Sequence, residues 1–369
     1  MGPTKAYISH ENLRHNFNLI RKTVAPAGVM GVVKADAYGH GMIESAQTLI
    51  ANGVAYLGVA FPEEGVQLRE AGIQTPVLVF GAQNGDLFEM CLKNELEITL
   101  TAEYQIDRLR QVCEKTGMRA KVHIKIDTGM NRIGFLYESF EETVPAIFNY
   151  PFLDVKGVYT HFSSADEDDP SYTLYQYDRF LHVKKTILEK TNKKPMFHAA
   201  NSAAIMKYPQ TYFDMVRPGV MLYGNPPGPD FKLSWPLKEV MRFVSQITLI
   251  KVLNPDEPVS YNRRFYTRKK TRVGVIPVGY ADGYSRQLTN RGQVLIRGRR
   301  FPVIGTVCMD AIMVNLQNAK DIRVGDEVVL FGAQEKEQVT IVEMSRLQNT
   351  IPYEVTCRVS GRVPRVHIK

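Results

Sequence analysis

A lysine closing an apolar run is the first residue in this sequence that could do chemistry. Residues 28–33 are short, apolar and rich in β-branched side chains, which predicts a buried strand ending at Lys34. Charged amines are rarely buried without a partner or a purpose. Two readings stand. The amine snorkels from the strand end, or burial and neighbours lower its pKa so that it forms a Schiff base with an aldehyde. Gly39 and Gly41 suit a tight turn just beyond. Four further polar residues, Asp127, His161, Asn201 and Arg217, fall at or just past the ends of later apolar runs.

The elements that must carry these side chains follow a regular pattern. Apolar runs at 28–33, 56–60, 77–80, 96–100, 122–126, 155–160, 196–199 and 214–216 alternate with amphipathic stretches such as 104–113 and 177–188. Eight strands and their helices over about 200 residues have the proportions of an α/β fold of the TIM type, a (β/α)8 barrel. A doubly wound open sheet would alternate similarly. Five polar residues in phase at the strands' carboxyl ends favour the barrel, because barrel enzymes build their sites on that face. Upstream, residues 6–8 predict a short strand, Ser9 a helix cap, and Leu13, Phe17, Ile20 and Val24 one apolar helix face. Asn225 to Pro229 form the clearest breaker in the chain. Beyond it the runs 244–250, 273–278, 293–296, 312–314 and 327–331 predict strands, with one helix near 339–347. The expected organisation is a barrel domain over 1–232 and a C-terminal mainly-β domain over 233–369.

Composition sets the outer limits. The chain has 369 residues, 44% hydrophobic and 23% charged, ordinary values for a globular protein with a sizeable core. The net charge of +8 is dispersed, with only short clusters at 268–270 and 297–300. Without a nucleic-acid motif this reads as a solvated basic face, so no nucleic-acid partner is expected. Cys91, Cys113, Cys308 and Cys357 lack metal-ligand spacing and a CxxC pair, so reduced, mostly buried thiols and no metal site are expected. The first residues lack a signal peptide's apolar core and no run could span a bilayer, so a cytoplasmic protein without membrane attachment is expected.

Eight motifs carry a specific resemblance. They are Val33-Lys34-Ala35-Asp36-Ala37-Tyr38-Gly39-His40-Gly41, Lys125-Ile126-Asp127-Thr128-Gly129-Met130-Asn131-Arg132, Thr160-His161-Phe162-Ser163, Ala200-Asn201-Ser202-Ala203, Val216-Arg217-Pro218-Gly219-Val220, Val259-Ser260-Tyr261, Gly279-Tyr280-Ala281-Asp282-Gly283-Tyr284 and Cys308-Met309-Asp310. In this order and spacing the whole chain resembles the alanine racemase family, enzymes that use pyridoxal 5′-phosphate to supply D-alanine for peptidoglycan. The resemblance implies an isomerase interconverting L- and D-alanine by two bases. Lys34 would hold the cofactor as an internal aldimine and serve as one base, and Tyr261 would be the base on the opposite face. A phenol needs neighbours that favour phenolate for that task. His161 and Arg217 would form a hydrogen-bonded chain toward it, with Arg217 facing the cofactor's pyridine nitrogen. An arginine donates but cannot accept a proton there, which would weaken the electron sink and limit transamination.

By the same resemblance, Asn201, Ser202, the backbone of Gly219 and Val220, and the hydroxyls of Tyr38 and Tyr353 would serve cofactor binding, chiefly the phosphate. Arg132 would reach the cofactor phenolic oxygen and the substrate carboxylate, Met309 would contact that carboxylate through its N–H, and Asp310 follows in the substrate site. Lys125 matches a lysine carried as a carbamate that orients Arg132. Tyr280 and Tyr353 would limit the substrate side chain. Tyr261, Tyr280, Met309 and Asp310 would come from a second subunit, so a homodimer with shared sites is implied. The sequence departs from the family after the tyrosine, where Asn262 replaces glycine and Arg263 and Arg264 follow. Asparagine tolerates positive φ, so the departure bears on substrate preference, and a broader range that includes serine is the alternative. A pyridoxal carrier would lack the β domain, and the related decarboxylases would place an acid where Arg217 stands.

Overall fold

The computed structural model describes residues 2–81 and 85–369. It divides into two compact units, one of Asn16–Ala37 and Met42–Leu222, the other of Met1–His15, Tyr38–Gly41 and Tyr223–Lys369.

The larger run of chain is the barrel. Its elements follow β1 (Lys5–Ser9), which belongs to the other unit, and are β2 (Gly28–Val32), β3 (Tyr56–Val59), β4 (Val77–Val79), β5 (Glu97–Leu100), β6 (Ala120–Asp127), β7 (Phe135–Leu136), β8 (Leu153–Tyr159), β9 (Met196–His198) and β10 (Met215–Val216). All barrel pairings are parallel, and β2-β3-β4-β5-β6-β8-β9-β10 closes when β10 pairs with β2 and β5 with β6. β7 is a two-residue addition beside β6. Every one of the eight apolar runs is therefore a stave. Helices return the chain between staves, as in Met42–Ala51, Tyr104–Thr116 and Ser171–Thr191.

The barrel interior has two characters. Met30, Leu78 and Met215 pack with Tyr56, Phe80 and Met196 into an apolar cluster on β2, β3, β4, β9 and β10. On β5, β6, β8 and β9 the buried residues include Glu97, His123, Lys125, Tyr159 and His198. Burying that much polarity is costly unless each group is paired, so this half of the interior must be a hydrogen-bonded network.

The second unit departs from the expected boundary. The expected barrel domain starts at residue 1, but β1 is a strand of the other unit's sheet. It pairs antiparallel with β11 (Met241–Gln246) and parallel with β19 (Arg365–Ile368). Its alternation buries Ala6 and Ile8 completely, the signature of a half-buried strand rather than a stave. The sheet runs β15 (Arg299–Pro302), β14 (Gln293–Ile296), β17 (Glu327–Gln334), β11, β1, β19, with β18 (Glu337–Val339) beside β17. A second sheet of three strands holds β12 (Leu249–Leu253), β13 (Thr271–Ile276) and β16 (Ile312–Gln317). The single strand expected over 244–250 is thus two strands in different sheets. The helix Ile341–Leu347 lies where it is expected, Pro352–Cys357 is an additional one, and Cys357 is exposed. Ser9 Oγ caps the helix His10–Val24 by accepting from Asn12 N–H at 3.2 Å, and Leu13, Phe17, Ile20 and Val24 are buried. No helix among the described residues is long and apolar enough to cross a membrane.

Candidate active site

Lys34 stands two residues past the end of β2, at the carboxyl rim of the barrel, and the backbone after it is unusual. Ala35, Asp36, Ala37 and Tyr38 have φ of +52°, +52°, +53° and +56°, so the turn Lys34–Gly39 winds left-handed. Each such non-glycine residue costs roughly 1–2 kcal/mol, so the turn must be held by its surroundings. Two carboxylates contribute. Glu64 accepts from Ala35 N–H at 2.6 Å through one oxygen and from Ala60 and Phe61 N–H at 2.6 and 3.2 Å through the other. Asp36 Oδ1 accepts from Met42 N–H at 2.8 Å. Backbone strain over-determined by its neighbours is a mark of functional sites.

Around the same rim stand Asp127, His161, Ser202 and Arg217. Arg217 leaves β10 buried, donating through Nη2 to Thr160 O at 2.7 Å and Ala199 O at 2.9 Å, and through both nitrogens to imidazoles. Nη1 lies 3.1 Å from His198 Nδ1 and Nη2 lies 3.2 Å from His161 Nδ1. Burial lowers Arg217 to about 10, which leaves it cationic at neutral pH. Burial, and then the charges of Arg217, Lys125, Arg132 and Lys34, hold His161 well below its ordinary range, so the ring is neutral. Because the guanidinium can only donate, His161 Nδ1 is the acceptor and its proton sits on Nε2.

Asp127, the last residue of β6, organises the loop that carries Arg132. Its Oδ1 accepts from Gly129 and Asn131 N–H at 2.9 and 3.0 Å, and Oδ2 accepts from Arg132 N–H at 3.0 Å. Burial opposes the charge, but the N–H groups of Asn131 and Gly129, the Lys125 cation and Arg132 N–H outweigh it and hold the carboxyl below its usual range. The guanidinium of Arg132 reaches solvent. Lys125, two residues before Asp127, is only 2% exposed; its Nζ donates to Ile133 O at 3.0 Å and lies 5.7 Å from the Tyr159 ring centroid. Burial, reinforced by Arg217 and Arg132 against Asp127, lowers it to about 8.

Asn201 starts the helix Ser202–Lys207, its Oδ1 accepting from Ala204 N–H and its Nδ2 donating to Phe162 O, both within 3.1 Å. It therefore positions Ser202. Ser202 Oγ in turn accepts from Gly219 N–H at 2.9 Å, which brings Ser202, Gly219 and Val220 together at the start of the 3-10 turn Val220–Tyr223. A hydroxyl and a row of backbone N–H groups at one point is the donor set for a phosphate.

In the other unit, Tyr38 and Tyr353 are brought together, their ring centroids 5.8 Å apart. Burial, then Tyr353 and Cys357, push the Tyr38 phenol far up, so it stays a donor. A separate concavity of about 700 Å³ is lined by Tyr261, Tyr280, Arg286, Val307, Cys308, Met309 and Asp310. Tyr261, Tyr280 and Met309 are 69%, 44% and 51% exposed. Tyr280 and Ala281 N–H donate to the Cys308 and Met309 carbonyls at 3.1 Å, an approach that requires Gly279, whose Cβ would lie 2.2 Å from both oxygens. Asp310 is held by Arg362 at 2.8 Å. After Tyr261 the expected positive φ is present: Asn262 has +60° and Arg263 +49°. Ser260 Oγ, donating to Thr306 O at 2.6 Å, and Thr306 Oγ1, donating to Tyr261 O at 2.7 Å, fix that segment.

The rim thus offers a lysine on a held turn, flanked by cations, with a separate hydroxyl and N–H cluster. That set fits pyridoxal phosphate: an amine for its aldehyde, donors for its phosphate, and a permanent cation for its ring nitrogen. Residues missed by sequence reasoning are Glu64 and Asp36, which hold the turn, and Glu97, His123, Tyr159 and His198 inside the barrel. The last four left a signal, since polar side chains within apolar runs are uncommon.

Fold and site together define a barrel with a lysine at its carboxyl rim, in a chain that also holds a second, mainly β unit. Residues 8–227 match the alanine racemase N-terminal domain family and residues 240–367 the alanine racemase C-terminal domain family. An alanine racemase from Halothermothrix orenii is 42% identical over 98% of this chain and 96% of its own length. An alanine racemase structure from Clostridium difficile 630 superposes with a TM-score of 0.94 at 38% identity, covering 99% of this chain and 96% of that one. One from Bartonella henselae, with covalently bound pyridoxal phosphate, gives 0.90 at 27% identity over the whole of both chains. The chain belongs to the alanine racemase family.

Proposed function

We propose that this protein racemises alanine, with pyridoxal 5′-phosphate attached at Lys34, and so supplies D-alanine for peptidoglycan in the cytoplasm. The observation that carries the reading is the strand-end lysine on a strained, doubly anchored turn beside a buried arginine in a chain of this family. When bound, the cofactor supplies an electron sink that acidifies the substrate Cα–H.

The chain's own residues do the rest. Lys34 Nζ removes or returns the Cα proton on one face, and Tyr261 Oη on the other. Arg217 would face the ring nitrogen as a donor that keeps its own proton, which would limit electron withdrawal by the ring. Neutral His161, with Nδ1 occupied by Arg217, keeps its proton on Nε2, and through it would donate to the phenol of Tyr261. Arg132 and the Met309 N–H hold the substrate carboxylate, with a carbamate on Lys125 orienting Arg132. Ser202, Gly219 and Val220 hold the phosphate, with Tyr38 and Tyr353 as its hydroxyl donors. Tyr280 and Tyr353 restrict the side chain.

Tyr261, Tyr280 and Met309 are exposed around their own concavity. We assign them to the site of a second copy in a homodimer. The test is conversion of L-alanine by the purified protein, followed by polarimetry. A yellow protein whose visible band is lost on borohydride treatment and which brings either enantiomer to a racemate supports the reading; a protein that converts neither enantiomer of alanine contradicts it.

A further inference from the structure

The polar half of the barrel contains three groups that the reaction above does not use, Glu97, His123 and His198, linked in a chain to Arg217. Glu97 Oε2 lies 2.7 Å from His123 Nε2, His123 Nδ1 lies 2.9 Å from His198 Nε2, and His198 Nδ1 lies 3.1 Å from Arg217 Nη1. All four side chains are buried, Glu97 and Arg217 at 4% exposed and both histidines at 0%.

Each link has one permitted direction. Arg217 can only donate, so His198 Nδ1 must accept and its proton must sit on Nε2. That N–H donates to His123 Nδ1, which places the His123 proton on Nε2, and the carboxylate of Glu97 accepts it. Burial, with Arg217 and His123, keeps His198 uncharged. The neighbours complete the slot. The Tyr56 phenol is raised to about 12 by burial, by the charges of Glu97 and Asp154, and by its hydrogen bond to Glu97. Tyr159 stacks on His198 at 4.8 Å and 6°. At Gly157 a Cβ would lie 2.4 Å from His123 Nδ1, so the glycine makes room for that ring. Without an anion at the far end, the buried guanidinium would be uncompensated from inside the barrel.

We propose that Glu97 is a positioning residue for Arg217, acting through His123 and His198, both held as Nε2–H tautomers. The relay stands on the barrel geometry alone; its effect on turnover rests on the proposed racemase reading.

The test uses full-length protein labelled with 15N histidine. Multiple-bond 15N–1H spectra of the wild type should show both buried rings as Nε2–H tautomers; an Nδ1–H tautomer at either overturns the relay. Glu97→Leu removes the acceptor at nearly constant volume. It should leave the His123 Nε2–H without its acceptor, moving that proton's resonance upfield, and lower kcat for alanine about 10- to 100-fold, the scale of one charge-assisted hydrogen bond, with KM nearly unchanged. Glu97→Gln keeps an acceptor oxygen and should restore most of the downfield His123 Nε2–H resonance and most of kcat. Should Glu97→Leu not fold, Gly157→Ala displaces the His123 ring without touching a charge and should give the same resonance change and kcat loss. A folded Glu97→Leu or Gly157→Ala protein with a wild-type His123 Nε2–H resonance and kcat contradicts the proposal. If the wild type racemises nothing, the racemase reading fails, and the tautomers still decide the relay.

Discussion

Lys125 is the most quantitative element of the site. Depression from an ordinary 10.5 to about 8 makes about a tenth of its amines neutral at pH 7, against about one in three thousand for an unperturbed lysine. Only the neutral amine attacks carbon dioxide; an N–C bond forms, a proton leaves, and a buried cation becomes an anion close to Arg132. Carbamate formation should therefore rise with pH through about 8. The assay is 13C NMR of protein equilibrated with 13C-bicarbonate at pH 7 and pH 8.5, beside a Lys125→Met variant. One carbamate resonance is expected in the wild type, stronger at the higher pH and absent from the variant. Losing one charge-assisted hydrogen bond to Arg132, about 1.5–3 kcal/mol, should raise KM for alanine about 10- to 100-fold.

The stability sign follows from the same depression. Between pH 8 and 10.5 the unfolded chain binds more protons at this site than the folded one, so the site's contribution improves as pH rises through that window. Below pH 8 it is a penalty of roughly 3 kcal/mol. Freed of carbon dioxide, Lys125→Met should be the more stable protein at pH 7, and that advantage should vanish near pH 10.5. Absence of the resonance at pH 8.5, or its survival in the variant, refutes the reasoning.

Further outcomes follow from other parts of the site. Lys34→Ala should lose the borohydride-sensitive visible band and all measurable racemisation, and near wild-type turnover would remove the basis of the assignment. From the proposed role of Tyr280 and Tyr353 in restricting the side chain, kcat/KM should favour alanine over serine by no more than about 10²-fold, and lysine and arginine should not react; a long basic substrate turned over comparably would indicate broad specificity. Glu64→Ala releases Ala35 N–H and the entry to the left-handed turn, so thermal melts should show a loss of about 1–3 kcal/mol together with weaker cofactor retention; unchanged retention would show that the turn holds itself.

Much of this was legible because staves and rim residues follow local rules. A strand buried on both faces writes itself as a short apolar run, and the eight runs became the eight staves. Lys34, His161 and Arg217 stand at strand ends, where the period of the chain changes and polarity is conspicuous. Two things were not legible. The partner of β1 is decided by pairing with β11 and β19, more than two hundred residues away, and nothing in residues 6–8 encodes it. The left-handed turn after Lys34 was hidden because Ala35 and Ala37 carry no preference for positive φ. Hydrogen bonds accepted by Glu64, on a later helix, and by Asp36 from Met42 N–H hold it. The interior relay was visible only as Glu97, His123 and His198 within apolar runs, a signal without direction until distances supply it.

The central claim is that Lys34 and Tyr261 act on opposite faces of the substrate. Phenylalanine at 261 keeps the ring and removes its only titratable group, so the most direct measurement is Cα–H exchange by Tyr261→Phe with D- and L-alanine, separately, in deuterated water. Cofactor attachment at Lys34 should persist, D-alanine should exchange its Cα hydrogen faster than it racemises, and L-alanine should remain nearly inert. Equal exchange from both enantiomers would mean that one base serves both faces, and the role given to Tyr261 would be wrong.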